Sequence, residues 1–309
     1  MPEGRSLNAD ASGRPRRASP ALVRWTASGA VAAPEFLQIR VAPQFVERVS
    51  VGAPVPTRAM KPDEVDANVR HFTEGMRGPR SRPVRQLVLS GLDGPEGLDA
   101  LGSRTDGWRR HGIETIVLHV GATAAARVLG SSLGQDADRI VVTVASVNAS
   151  VRAALARLPM GELGLSVSLT DDVRKGLGAL VEDLAAHPAQ SLAWVWPFPA
   201  PNTPAPPRAT EVVSALSIAG ALDLHGARLV HVPRCLDPRK REPSIPRWRT
   251  RNRFYVDAGH QLEEALLFFP DLVQLAKPDR CRFCREDLAC DGVASPWLAQ
   301  GRTGPLEPM

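Results

Sequence analysis

A chain of 309 residues with 43% apolar and 23% charged side chains has the makeup of a globular protein, one large domain or one domain with an appended piece. Its apolar runs are strand-sized and broken by polar residues, which excludes a membrane-spanning class as well as fibrous and wholly disordered ones. The net charge is only +5, and four cysteines are too few for a disulfide scaffold.

Residues 1–33 are rich in Ala, Ser, Gly, Pro and Arg, and Glu3 and Asp10 interrupt them. No apolar stretch of signal-peptide length occurs there, so a disordered arm and a cytoplasmic location are expected. From about residue 35, strand-like runs alternate with helical stretches. The strands are expected at Phe36–Val41, Arg85–Ser90, Thr115–Val120, Arg139–Ala145, Leu163–Leu169 and Leu192–Pro197, with a seventh at Leu229–Val232. Several are near-continuous Val, Ile and Leu, the pattern of strands buried on both faces of a parallel sheet. Helices are expected over 61–76, 97–112, 146–159, 170–188 and 208–226. Pro62, Asp63 and Glu64 suit the first turn of one, Gly112 ends another, and Thr170 heads a third. Six successive βα units predict an α/β fold, either an open doubly wound sheet or a barrel. No Gly-x-Gly-x-x-Gly follows an early strand and no P-loop occurs.

The Pro-rich stretch 196–210 reads as a rigid loop at a strand's C-terminal end, where α/β sites are built, or as a plain connection. Arg234, Arg239, Lys240, Arg241, Arg247, Arg249, Arg251 and Arg253 form a basic strip that could hold a phosphate or acidic peptide, or be a solvated loop. No nucleic-acid-binding signature accompanies it, so nucleic acid is not an expected partner. Residues 259–278 read as an amphipathic helix broken at Pro270.

Three of the four cysteines, Cys281, Cys284 and Cys290, are spaced C-x2-C-x5-C, and Cys235 lies 46 residues earlier. Scarce, clustered and expected to stay reduced, they point to a metal site rather than disulfides. Four thiolates suit a [4Fe-4S] cluster or a tetrahedral zinc, with independent free cysteines as the third possibility. The three-plus-one grouping favours iron–sulfur, since structural zinc usually takes two close pairs. Arg280, Arg282 and Arg285 would offset the negative charge.

A βα series, then "VPRCL", then "CRFCREDLACDGV", then a tail with Gly301, Glu307 and Pro308, resembles the radical SAM superfamily, in particular members with a C-terminal auxiliary-cluster, SPASM-like motif found in peptide-modifying maturases. The resemblance spans about 270 residues and implies a partial (β/α)6 TIM-like barrel. It implies residues 34–232 as the barrel and 233–309 as the cluster-bearing extension, with Cys235, Cys281, Cys284 and Cys290 as ligands. The superfamily's CxxxCxxC motif after the first strand is missing. Residues 42–60 fill that slot with no cysteine and no histidine. The Gly-Gly-Glu-Pro-like turn is replaced by residues 89–97, where Ser90, Gly91 and Asp93 are the nearest equivalents. S-adenosylmethionine is therefore a doubtful ligand, and radical chemistry of the standard kind is not expected.

The strand ends also offer His119, Ser146, Asn148, Asp171 and Trp196 to a barrel mouth, Ser146 and Asn148 being cofactor-binding candidates beside Ser90, Gly91 and Asp93. Within a strand run, His119 reads first as a core histidine, and Asp171–Asp172 as helix capping. The histidines show no zinc-hydrolase spacing, and no Gly-x-Ser-x-Gly elbow occurs. The expected role is a partner of an active radical SAM maturase or a binding subunit for a precursor peptide, keeping one C-terminal cluster. The alternatives are an enzyme using that cluster or the barrel mouth for non-radical chemistry, and a zinc-stabilised α/β binding protein.

Overall fold

A computed structural model describes residues 22–24, 36–43, 57–75, 84–94, 97–196, 214, 227–230, 232–236, 253–268, 275–285, 290, 292–294 and 298. In chain order the elements are β1 (Leu22–Arg24), β2 (Phe36–Arg40), α1 (Pro62–Arg70) running into a π-helical turn (His71–Gly75), β3 (Gln86–Ser90), α2 (Leu98–Gly102), α3 (Thr105–Arg110), β4 (Thr115–Gly121), α4 (Ala125–Leu129), α5 (Ser132–Asp136), β5 (Arg139–Val144), α6 (Ala149–Leu155), β6 (Gly164–Ser168), α7 (Asp171–Lys175), α8 (Leu177–Ala186), β7 (Ser191–Val195), β8 (Arg228–Val230), β9 (Arg253–Val256), β10 (Leu266–Phe268), β11 (Leu275–Ala276) and β12 (Val293–Ala294). None of the described helices is long and apolar enough to cross a membrane.

Ten strands form one sheet in the order β1-β10-β9-β2-β3-β4-β5-β6-β7-β8. The run from β9 through β2 to β8 is parallel throughout, and β10 and β1 add an antiparallel edge. From β2 to β8 the strands lie side by side in sequence order. That is the order of a (β/α) barrel. A doubly wound sheet reverses its order at a switch point, and none occurs here. The seven expected strands are present, each within two residues of the ends read from the sequence. The described strands β9 and β2 to β8 make an eight-strand parallel run, with no pairing of β8 to β9 among the described residues.

Right-handed crossovers place successive helices on one face of such a sheet. The burial pattern agrees. Leu37, Leu87, Ile116, Leu118, Ile140, Leu165 and Trp194 of the strands share one core with Val65, Trp108, Val128, Val151, Leu180 and Leu184 of the helices. The opposite face, which none of the described helices covers, carries Gln38, Arg40, Ser90, His119, Thr143, Ser166 and Tyr255, because side chains alternate along each strand.

Several expectations change. The helix expected over 97–112 is two, α2 and α3, and that over 170–188 breaks at Gly176, where a Cβ would stand 2.7 Å from Val147. Two short helices, α4 and α5, occupy 125–136, which the sequence reading left unassigned. The helix expected over 259–278 is instead a 3-10 turn (Leu262–Glu264), strand β10 and strand β11. Its run of Leu and Phe has no periodicity to choose between helix and strand, and pairing with β9, Leu266 opposite Tyr255, decides it. Within the expected disordered arm, Leu22–Arg24 form β1 and pair with β10. β9 and β10, which follow residue 233, pair into the same sheet as β2 to β8. The helix expected over 208–226 falls outside the described residues apart from Ser214.

Polar contacts fasten the chain after β9 to α1. Buried Asn68 accepts from Leu262 N at 2.8 Å and donates to Gln261 Oε1 at 3.1 Å. Glu64 accepts from Arg58 at 2.6 and 2.8 Å and from Lys61 N at 2.8 Å. The Arg58 guanidinium first, then the Lys61 and Gln261 donors, lowers the Glu64 carboxyl from 4.5 to about 2. A depressed carboxyl contributes stability above its unfolded pKa, and that contribution is lost as pH falls toward the folded value. The melting temperature therefore falls between pH 4.5 and about 2, modestly because the pair is exposed. Glu64→Gln flattens that part of the profile; superimposable wild-type and variant profiles would refute it.

Candidate functional site

Two groups of polar side chains stand out from this frame. The first is a cavity of about 330 Å³ at the C-terminal ends of β4 and β5, lined by Asp93, Gly121, Thr123, Thr143, Ala145, Ser146, Asn148 and Ser150. It is at the small end of ligand-pocket sizes. Asp93 accepts from Gly121 N at 3.1 Å, and Arg127 donates to the Asp93 backbone carbonyl. Burial pushes the Asp93 carboxyl up from its usual range, opposed by the Gly121 bond and the charge of Arg127. A carboxyl tuned this way, with four hydroxyls and an amide around it, can accept from a ligand's hydroxyl or amino groups.

Of the five cofactor-binding candidates, Asp93, Ser146 and Asn148 meet in this cavity. The side-chain oxygen of Asn148 also accepts from Val151 N at 2.9 Å, capping α6. Ser90 and Gly91 do not line it. Ser90 ends β3, 1% exposed, and its carbonyl accepts from Val41 N at 2.7 Å. Gly91 has φ +73°, and a Cβ there would stand 2.5 Å from the Ala42 carbonyl oxygen. Its residue type follows from this close approach of the two strand ends, a steric reason rather than a ligand contact.

The other mouth candidates separate. His119 lies on the face opposite the described helices, partly exposed. Trp196 is 2% exposed in the helix-side core, so it does not open on the mouth. Thr170 caps α7 by accepting from Val173 N at 3.3 Å, and Asp171 pairs with Arg174 at 2.6 Å, as the capping reading expects.

The second group is the cysteines. β11 and β12 pair, Ala276 opposite Val293, and close the loop that carries Cys281, Cys284 and Cys290. Gly292, at φ +81°, lets the chain pass the Ala276 carbonyl, where a Cβ would stand 2.4 Å away. Its N–H points at Cys290 Sγ, 3.4 Å away, and Cys284 N donates to the Cys281 carbonyl at 3.0 Å. Cys235 arrives on the 3-10 turn Arg234–Leu236 and packs against the main core. All four are free thiols, partly sheltered. Burial pushes the Cys235 thiol up to about 11, and the charges of Cys290, Cys281 and Cys284 add to it. Each of the three is thus near enough to be felt at Cys235.

The four thiols are neighbours without being clasped. Among the described residues no three His, Cys, Asp or Glu side chains converge tightly enough to hold one ion. The donor set fits a thiolate-bound metal in kind, four soft sulfurs and an N–H directed at one of them. As free thiols they are protonated and neutral, and a metal would bind them only as their protons leave. The basic strip from Arg239 to Arg251, the Pro-rich residues 197–210 and the tail residues Gly301, Glu307 and Pro308 lie outside the described residues.

Sequence reasoning missed a third set, Gln38, Arg40, Tyr255 and Asp257, on the face of β2 opposite the described helices and at β9. The signal was there in "FLQIR" and "RFYVD", where polar residues alternate into otherwise apolar strands.

No protein-family model matches the chain, and no curated protein matches it. Among solved structures, a monomeric dihydrodipicolinate synthase variant matches over 65% of this chain and 65% of its own, at 14% identity and a TM-score of 0.32. A likeness that weak carries no argument about fold or function.

Proposed function

We propose that this protein is a radical SAM-like member that has lost the thiolates for S-adenosylmethionine cleavage and keeps one metal centre on Cys235, Cys281, Cys284 and Cys290. Its role is that of a partner or peptide-binding subunit beside an active maturase. The observation that carries the reading is the neighbourhood of the four thiols: all the cysteines in the chain are committed to one corner, and residues 42–60 retain none. A [4Fe-4S] cluster there would rest on these sulfurs and, when bound, would supply a redox-active or structural centre. The chain's own part is to hold Cys235 against the core and to present the other three on the β11–β12 loop. The cavity at Asp93 is the place for a small polar ligand, and the barrel-order sheet is the shape that duplicated enzymes keep when their chemistry is lost.

Oxygen-free purification followed by iron, sulfide and zinc analysis and a visible spectrum tests this. About four irons per chain with matching sulfide are expected for one cubane. A colourless protein holding a single zinc would transfer the site to the zinc-stabilised alternative. About eight irons, or tight binding of S-adenosylmethionine, would overturn the loss of the first site.

A further inference from the structure

We propose that the face opposite the described helices, where β9, β2 and β3 adjoin, binds a primary ammonium group, presented by a free amino acid or by the amino terminus of a peptide. The site is distinct from the cysteines and from the Asp93 cavity, so it goes beyond the function proposed above. In the parallel register Gln38 lies beside Tyr255, and Arg40 beside Ser90. Continuing the β2–β9 register by one residue sets Asp257 beside Arg40. Alternation puts all five side chains on one face.

These residues are nine-tenths or more buried where it matters: Gln38 is 2% exposed, Ser90 1%, Tyr255 4% and Asp257 0%. Yet Gln38 Oε1 and Ser90 Oγ have no hydrogen-bond partner, and the Tyr255 hydroxyl and Asp257 Oδ2 stand close to one another, and the hydroxyl close to Arg40, without a hydrogen bond of good geometry. Buried polar groups are almost always satisfied, so four such groups on three adjoining strands call for a partner. The other Asp257 oxygen is already used, accepting from Gly259 N at 2.8 Å and facing His260 Nδ1 at 2.9 Å. That anchors the carboxylate and leaves Oδ2 for a ligand.

The missing partner can be typed by chemistry. Gln38 Oε1 and Asp257 Oδ2 can only accept, and the two hydroxyls can accept as well. An ammonium has three donors and no acceptor. Gln38 Oε1, the Tyr255 hydroxyl and Asp257 Oδ2 make a three-acceptor set for it, with the carboxylate supplying the opposite charge. Burial, and the nearby Asp257 charge after it, push the Tyr255 hydroxyl up, so it stays a neutral phenol at physiological pH. Arg40 donates to the Pro43 carbonyl at 2.8 Å. It would repel a lone cation, which favours a ligand whose ammonium is accompanied by a carboxylate or a peptide carbonyl.

The test is calorimetric titration of the full chain, its metal content first measured, with the common L-amino acids, their amides and their N-acetyl derivatives. At least one free or amidated amine is expected to bind, with the matching N-acetyl compound at least tenfold weaker. Free acid tighter than amide identifies a free amino acid, and equal affinity identifies a peptide amino terminus. Tyr255→Phe removes one oxygen with little change of shape and should weaken binding several-fold; Asp257→Asn should abolish it. Circular dichroism and melting would confirm that both variants fold. The proposal is overturned by no binding of any amine, by binding indifferent to acetylation, or by full affinity in a folded Tyr255→Phe. None of these outcomes bears on the metal assay, so the two proposals fail separately.

Discussion

Cys284→Ala is expected to abolish the proposed metal centre and lower the melting temperature. Four thiolates share one centre in the proposed site, and removing one leaves three ligands and an open position. Loss of a ligand weakens a site by roughly a hundredfold or more, and because the metal binds only the folded chain, about 2.7 kcal/mol of linked stability goes with it. The loss concentrates in the loop that β11 and β12 close, where Cys281, Cys284 and Cys290 lie. Phe283 is the control. It is 88% exposed, one residue from Cys284. Phe283→Ser should keep full metal content and stay within about 0.5 kcal/mol of wild type. A Cys284→Ala protein with unchanged metal and an unchanged melt would mean the four thiols are independent cysteines.

Trp108→Ala should be the most damaging single change in the helical layer. Trp108 is fully buried, and its indole N–H donates to Asp66 Oδ1 at 3.1 Å. Asp66 also pairs with Arg70 at 2.9 Å. The substitution therefore opens a large cavity between α1, α3 and the sheet and removes a donor from a buried carboxylate. Cavity formation of this kind costs about 3–5 kcal/mol, or roughly 6–15 °C in melting temperature for a chain of this size. Trp108→Phe fills most of the space and should recover more than half of the loss. If thermal unfolding of Trp108→Ala matched wild type, this packing account of the layer would be wrong.

The strands were legible because a parallel strand covered on both faces needs continuous Val, Ile and Leu, as in "RIVVTVAS". That signal is local. The helix starts were legible for the same reason: Thr170 and Asn148 satisfy backbone N–H groups within three residues of themselves. The segment 259–278 was misread because its apolar run suits either element, and only the neighbouring β9 offers the hydrogen bonds that settle it. The breaks at Ser103–Arg104 and at Gly176 were also invisible, since the contact that requires Gly176 comes from Val147, in another loop.

The candidate sites divide in the same way. Asp93, Ser146 and Asn148 line one cavity because residues at the C-terminal ends of parallel strands are held at one mouth. Ser90 and Gly91 were placed near them by sequence proximity, but one turn separates a side chain that faces a cavity from one packed under a neighbouring strand. Gln38 and Arg40 lie more than 200 residues before Tyr255 and Asp257, and the two pairs share a face only because β9 pairs with β2.

The sequence by itself determined the α/β class, the seven strands and the commitment of every cysteine to the C-terminal part, since these depend on side-chain chemistry and short-range periodicity. The tertiary structure alone decided the barrel-type strand order, the inclusion of β1, β9 and β10 in one sheet, and which polar residues face one another. Those depend on hydrogen bonds and packing between segments far apart in the chain, and no local pattern encodes the partner.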